Sequence, residues 1–169
     1  MRAVPDDKIY LVGFMGSGKT TMARALGRRL GWRVVDVDEA IERREGRSVS
    51  RVFAEQGEPY FRRIEREVLL GLLAERHMVV ATGGGTFVQP ANRADILDNG
   101  LAVWLDVPFE RIVERVPSDG RRPLAADREA FAALYAERRA AYRLAHLRLD
   151  AHLRRVDGLV ERLLDQLGW

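Results

Sequence analysis

The sequence contains no cysteine, which excludes disulfides and thiolate metal sites. It also lacks any apolar run approaching the length of a membrane span. The opening stretch "MRAVPDDKIYLVGF" carries acids before its apolar run and has no small-residue cleavage site behind it. A soluble, cytoplasmic chain without a membrane partner is the expectation. Lysine is nearly missing as well: of 28 basic residues, 26 are arginine, and only Lys8 and Lys19 are lysine. Where arginine fills almost every positive position, a lysine at 19 marks a place for a compact ammonium, where a planar fork is too large. Repeats, low-complexity stretches and interdomain linkers are absent too. The 169 residues, 47% of them hydrophobic, are therefore read as one domain over residues 1–169 with a single core.

A strong excess of one charge is another absence. The isoelectric point is 9.7, but the net charge is only +3, and acids alternate with bases in "ERREGR" and "RRIERE". These read as solvated helix faces, with no nucleic-acid partner. No long apolar surface face argues for a dimer, so a monomer is expected.

What is present begins with "VGFMGSGKTT", residues 12–21. Gly13, Gly18, Lys19 and Thr20 fit G-x-x-x-x-G-K-[ST], the phosphate-binding P-loop. The motif requires a strand before it and a helix after it. "KIYLV" supplies the strand, and Met22, Ala23, Leu26 and Leu30 recur at helical spacing until Gly31. Backbone N–H groups of Gly13, Gly16, Ser17, Gly18, Lys19, Thr20 and Thr21 can then surround phosphate oxygens. Lys19 can reach the β- and γ-phosphates and the Thr20 hydroxyl can ligate Mg²⁺.

Further along, "RVVDVD", "HMVVA", "LAVWLDVP" and "HLRLD" read as strands separated by helical patterns. One of these helices carries Ile41 and stops near Gly46. A second is capped by Ser48, and a long third has Pro59 in its first turn. Others open after Pro108, run from about Arg128 to Ala145, and close the chain. This alternation implies an α/β fold with a parallel sheet, whose chemistry lies beyond the carboxyl ends of the strands.

The unusual residues fall there. Asp36 and Asp38 share a side if the second strand continues through both; one can then help hold Mg²⁺ through water while the other faces an acceptor hydroxyl. Alternatively, Asp38 caps the helix beginning "EAIE". In "PYFRRIEREVLLGLL", Glu65 falls within the apolar stripe with Arg62 at its edge. The two are spaced to pair, and a guanidinium so braced suits a substrate carboxylate. Arg63 and Arg66 point away and read as surface. Gly83, Gly84 and Gly85 make sense where main chain approaches a ligand closely. Arg115, Arg121, Arg122, Arg138 and Arg139 supply positive charge for phosphoryl transfer, though spacing alone does not choose among them. Residues 117–127, rich in turn residues, read as a mobile lid.

Taken in order, "GFMGSGKTT", "DVDEAIE", "FRRIE", "ATGGG" and "RRPL" make the chain resemble the shikimate kinases from about Ile9 to the last helix. The resemblance implies a nucleoside-monophosphate-kinase-like, three-layer P-loop fold: a central five-stranded parallel sheet flanked by helices, with a lid. It also implies transfer of the ATP γ-phosphate to the 3-hydroxyl of shikimate, giving shikimate 3-phosphate and ADP, in aromatic amino-acid synthesis. By the same resemblance Asp38 binds shikimate hydroxyls and serves as base, and Arg62 pairs with the carboxylate with Glu65 in support, within a substrate-binding region of about residues 36–65; Gly83 to Gly85 line the same pocket. Asp36 helps position Mg²⁺ with Thr20, Arg122 contacts phosphate from the lid, and Arg115 lies along the adenine. The family's later arginine stands four residues before a tyrosine, usually with a proline between. In "ERRAAY", which has no proline, that arginine is Arg138, with Arg139 as the alternative. Two other readings are a gluconate-kinase-like enzyme and a nucleotide-binding switch without acceptor chemistry.

Overall fold

The computed structural model describes residues 5–116, 127–152 and 155–169. Five strands, β1 (Lys8–Val12), β2 (Arg33–Asp36), β3 (Met78–Ala81), β4 (Leu101–Asp106) and β5 (Leu147–Asp150), form one parallel sheet in the order β2-β3-β1-β4-β5. The described helices are α1 (Lys19–Leu30), α2 (Val37–Glu45), α3 (Val49–Gln56), α4 (Glu58–Leu72), α5 (Pro90–Asn99), α6 (Phe109–Arg115), α7 (Arg128–Tyr142) and α8 (Val156–Leu167). Strands β1 and β3 are buried along their whole length, as the unbroken apolar runs of a sheet covered on both faces require. Among the described residues no helix is long and apolar enough to cross a membrane.

The register aligns the strand ends. Ala81 lies opposite both Leu11 and Asp36, and Val12 lies opposite Trp104. The loops after β1, β2, β3 and β4 therefore leave from one edge. From β1 the chain runs outward to β2, and from β4 to β5 on the other side, which opens a crevice beyond the carboxyl ends.

Two features depart from the sequence reading. Strand β2 stops at Asp36, whose Oδ1 accepts the Glu39 N–H at 3.0 Å. Asp36 is thus the N-cap of α2, and Asp38 sits in the first turn of that helix. The two aspartates do not share a strand face, and the capping role considered for Asp38 belongs to Asp36. Helix α5 is the second departure. It buries little beyond Asn92 and Ile96, too few residues to mark a periodic stripe, and Pro90 in its first turn is its one sequence signal.

Helix α4 is tied to the sheet at its far end by Lys8. The fully buried Nζ donates to the Leu72 and Glu75 carbonyls, the latter at 3.0 Å. Burial lowers the pKa of this amine to about 8 from 10.5. The folded state therefore releases a proton that the unfolded chain retains. The corresponding stability is fully present above about 10.5 and is lost as pH falls through about 8. Melting temperatures of the wild type and Lys8→Met should diverge in favour of the wild type as pH rises from about 7 to about 9.5. A difference that stays constant over this range would contradict the assignment.

Candidate active site

The loop between β1 and α1 holds the P-loop residues. Gly16 and Gly18 adopt left-handed backbone, with φ of 77° and 92°, a conformation that costs glycine little and other residues more. It bends the chain around the amino end of α1. That end has no side-chain cap and no acid in its first turn, whereas α2, α3 and α7 begin with Asp36, Ser48 and Asp127 as caps. The N–H groups of a helix end with no side-chain cap, together with its uncompensated dipole, favour an anion here. The buried Ser17 Oγ, beside Gly13, has no hydrogen-bond partner among the described residues. Lys19 is buried, and its Nζ donates to the Gly13 and Phe14 carbonyls at 2.8 and 2.9 Å. Arg115, at the end of α6, reaches over the loop to the Gly16 carbonyl at 3.4 Å.

The Thr20 hydroxyl donates to Asp36 Oδ2. A hydroxyl and a carboxylate at the mouth of a phosphate loop are the hard oxygen donors that suit Mg²⁺, which keeps several waters and uses few protein ligands. The donor set fits that ion.

The second half of the site gathers around Gly83–Gly85. A Cβ built on Gly83 would lie 2.9 Å from Asp38 Oδ1 and 3.3 Å from Glu65 Oε2. On Gly84 it would lie 3.2 Å from Arg138 Nη1 and 3.3 Å from the Met15 backbone nitrogen, and on Gly85 2.6 Å from Arg62 Nη1. Three consecutive residues thus touch, in turn, an acidic pair, one guanidinium together with the P-loop backbone, and a second guanidinium. Any side chain here would displace one of them. Residues spread over α2, α4, α7 and two loops are brought together by this turn.

Glu65 is fully buried. Its Oε1 accepts from Arg62 Nη1 at 3.0 Å and its Oε2 from the Thr86 hydroxyl at 2.8 Å. The Nε and Nη2 edge of Arg62 approaches the exposed Glu58 at 3.4 Å. Arg138 is also buried, stands over the Phe14 ring and bonds to Tyr142. Burial lowers its pKa, Tyr142 works against that, and the charge of Arg62 adds to the lowering. Two cations held this close in a poorly solvated place favour an anion between them. Tyr142, whose own pKa is raised by burial, donates to the Gly84 carbonyl.

The adjacent arginine is placed differently. Arg139 Nη1 donates to Asp106 Oδ1 at 3.0 Å and to the Tyr135 hydroxyl at 2.9 Å, with the guanidinium over Trp104. Of the other arginines, Arg63 pairs with Glu67 as a surface residue does. Arg66 is instead half-buried against α5, bonded to Asn92 and Asp95. Arg121, Arg122 and almost all of the expected lid lie outside the described residues. Thr86 and the hydroxyl of Tyr142 were not among the candidates. The spacing of Thr86 behind Gly83, which suits a turn closed by its own hydroxyl, was the available signal.

The family model for shikimate kinase matches residues 15–168. The chain belongs to the shikimate kinase family. It is 38% identical over 160 residues to a shikimate kinase of Persephonella marina, covering 94% of this chain and 98% of that one. A shikimate kinase of Synechococcus elongatus is 44% identical over 144 residues, covering 83% of this chain and 75% of the relative. Among solved structures, shikimate kinase from Acinetobacter baumannii in complex with shikimate superimposes with a TM-score of 0.91 at 34% identity, covering 96% of this chain and 93% of that one. The five-stranded parallel sheet flanked by helices is thus the P-loop kinase fold of this family.

Proposed function

We propose that this chain transfers the γ-phosphate of ATP to the 3-hydroxyl of shikimate, with the nucleotide phosphates in the glycine loop and the acceptor against Gly83–Gly85. The observation that carries this reading is the triple-glycine turn, which contacts Asp38, Arg138 and Arg62 on consecutive residues while Gly84 also abuts the P-loop at Met15. It supports an acceptor held directly beside the transferred phosphate. Family membership makes the gluconate-kinase and switch readings unfavoured.

In this arrangement Arg62 and Arg138 receive the acceptor carboxylate. Glu65 keeps Arg62 oriented. Arg138 takes this role in preference to Arg139, whose donors are already engaged with Asp106. Asp38 accepts a hydrogen bond from the reacting hydroxyl and aims its oxygen at the γ-phosphorus. The bond from that phosphorus to the β,γ-bridging oxygen breaks as the new one forms, ADP leaves, and the hydroxyl proton passes to Asp38 or to solvent. Through a loose, metaphosphate-like transition state the positioning matters more than the base strength of Asp38. Lys19 and the α1 N–H groups meet the charge that develops on the phosphate oxygens. Thr20 directly and Asp36 through water would hold Mg²⁺, which when bound would supply neutralisation of phosphate charge. Arg115 packs along the adenine, and Arg122 contacts phosphate, as the family motif implies. The chain works as a cytoplasmic monomer of one domain on small molecules.

Coupled ADP release with shikimate, gluconate and nucleoside monophosphates as parallel acceptors tests this reading. Turnover is expected with shikimate alone. Faster turnover with gluconate or a nucleotide, or ADP release unaffected by shikimate, would overturn it.

A further inference from the structure

The buried Glu65 carboxylate raises a question that Arg62 answers only in part. Arg62 takes Oε1, and the second oxygen, in a place with no water access, is satisfied by one neutral hydroxyl. That hydroxyl belongs to Thr86, itself fully buried. Its proton goes to Glu65 Oε2 at 2.8 Å and its lone pair accepts the Gly83 N–H at 2.9 Å, while the Thr86 backbone N–H returns to the Gly83 carbonyl at 3.2 Å. One residue therefore closes the triple-glycine turn with both its main chain and its side chain, and joins that turn to the carboxylate bracing Arg62. The guanidinium has no room to drift without consequence, because it lies against the bare Cα of Gly85.

We infer that Thr86 is a positioning residue for acceptor binding: through Glu65 it sets where Arg62 presents its donors, and through Gly83 it holds the turn against Asp38. Without the hydroxyl, the Gly83 N–H and Glu65 Oε2 are each left short of a partner in a dry site. Rotation of Glu65 to bring both oxygens toward Arg62, or to take the Gly83 N–H directly, then draws the guanidinium away from Gly85. The β-branch of Thr86 adds to this control by restricting the side chain to few rotamers. Serine preserves the hydroxyl but loosens it.

The inference rests on the proposed acceptor site, and steady-state kinetics of Thr86→Val and Thr86→Ser beside the wild type separate the two. Thr86→Val, nearly isosteric, is expected to raise the KM for shikimate roughly tenfold while the KM for ATP stays within about twofold, and Thr86→Ser should restore most of the loss. In an Arg62→Ala background, Thr86→Val should raise the shikimate KM by clearly less than in the wild type, because the part of its effect that runs through the guanidinium is already removed and only the hold of Gly83 against Asp38 is left to lose. An unchanged shikimate KM in Thr86→Val, equal losses for both substrates, or a full additional loss in the Arg62→Ala background would overturn the inference. Absence of shikimate turnover in the wild type would instead overturn the proposed function. Should the valine variant fail to fold, Thr86→Cys, similar in size but a weak donor, is measured against the same criteria.

Discussion

Lys19→Ala is expected to lower phosphoryl transfer by about a hundred- to a thousandfold, the usual effect of removing one fixed donor from a developing oxyanion, with the fold retained. Lys19 is buried at the mouth of the loop, its ammonium on the Gly13 and Phe14 carbonyls. A γ-phosphate is a stronger acceptor than either carbonyl, so in the proposed complex the ammonium turns from them to it. The loop itself is shaped by its glycines and by the Ser17 N–H bond to the Phe14 carbonyl at 3.2 Å, so the far-ultraviolet circular dichroism should not change. Lys19→Arg is the sharper test. Charge is preserved, but a planar fork must enter a space closed by two carbonyls at 2.8 and 2.9 Å, and its donors point elsewhere. It too should be severely impaired in the coupled assay. Near-normal turnover in the arginine variant would argue against phosphate binding by this loop.

The second large effect is expected at the acceptor. Arg62→Ala and Asp38→Ala should each weaken shikimate binding by about 1.5–3 kcal/mol, on the order of ten- to a hundredfold, and leave ATP affinity nearly unchanged. The two side chains reach the triple-glycine turn from different helices, α4 and α2, at Gly85 and Gly83. Arg62→Ala carries an additional cost, because it strands the fully buried Glu65 without its cation. Its melting temperature should fall, and Arg62→Ala combined with Glu65→Gln should recover stability without recovering shikimate affinity. Titration calorimetry with each substrate separates the outcomes. Normal phosphorylation of shikimate by both single variants, or loss of ATP binding as severe as that of shikimate, would show that the acceptor lies elsewhere.

Much of this architecture depends on short-range patterns, which is why it is legible in the sequence. The P-loop is a contiguous run whose geometry follows from its own glycines and from the strand and helix on either side. Strands β1, β3 and β4 are apolar because both sheet faces are covered, so their runs announce themselves. Glu65 and Arg62 lie three apart on one helix, and helical periodicity alone puts the first inside the apolar stripe and the second within reach of it. Helix α5 was illegible for the converse reason, since it packs too few apolar residues to leave a pattern.

The neighbours of these residues were set only by tertiary packing. Whether Asp36 or Asp38 caps α2 depends on where β2 lets go of β3, a matter of sheet pairing that the spacing "DVD" does not contain. Arg138 and Arg139 are chemically identical and adjacent. The rotation of α7, set by the burial of Phe131, Ala141 and Tyr142, turns one toward Gly84 and the other toward Asp106. The hydroxyl of Thr86 and the carboxylate of Glu65 are 21 positions apart in the chain, and neither residue type requires the other. From the sequence alone came the residues that carry charge or bare backbone to one edge of the sheet, because those follow from local conformation. Which of them touch is a long-range property, decided when the helices settled onto the sheet and buried polar groups had to find partners away from water.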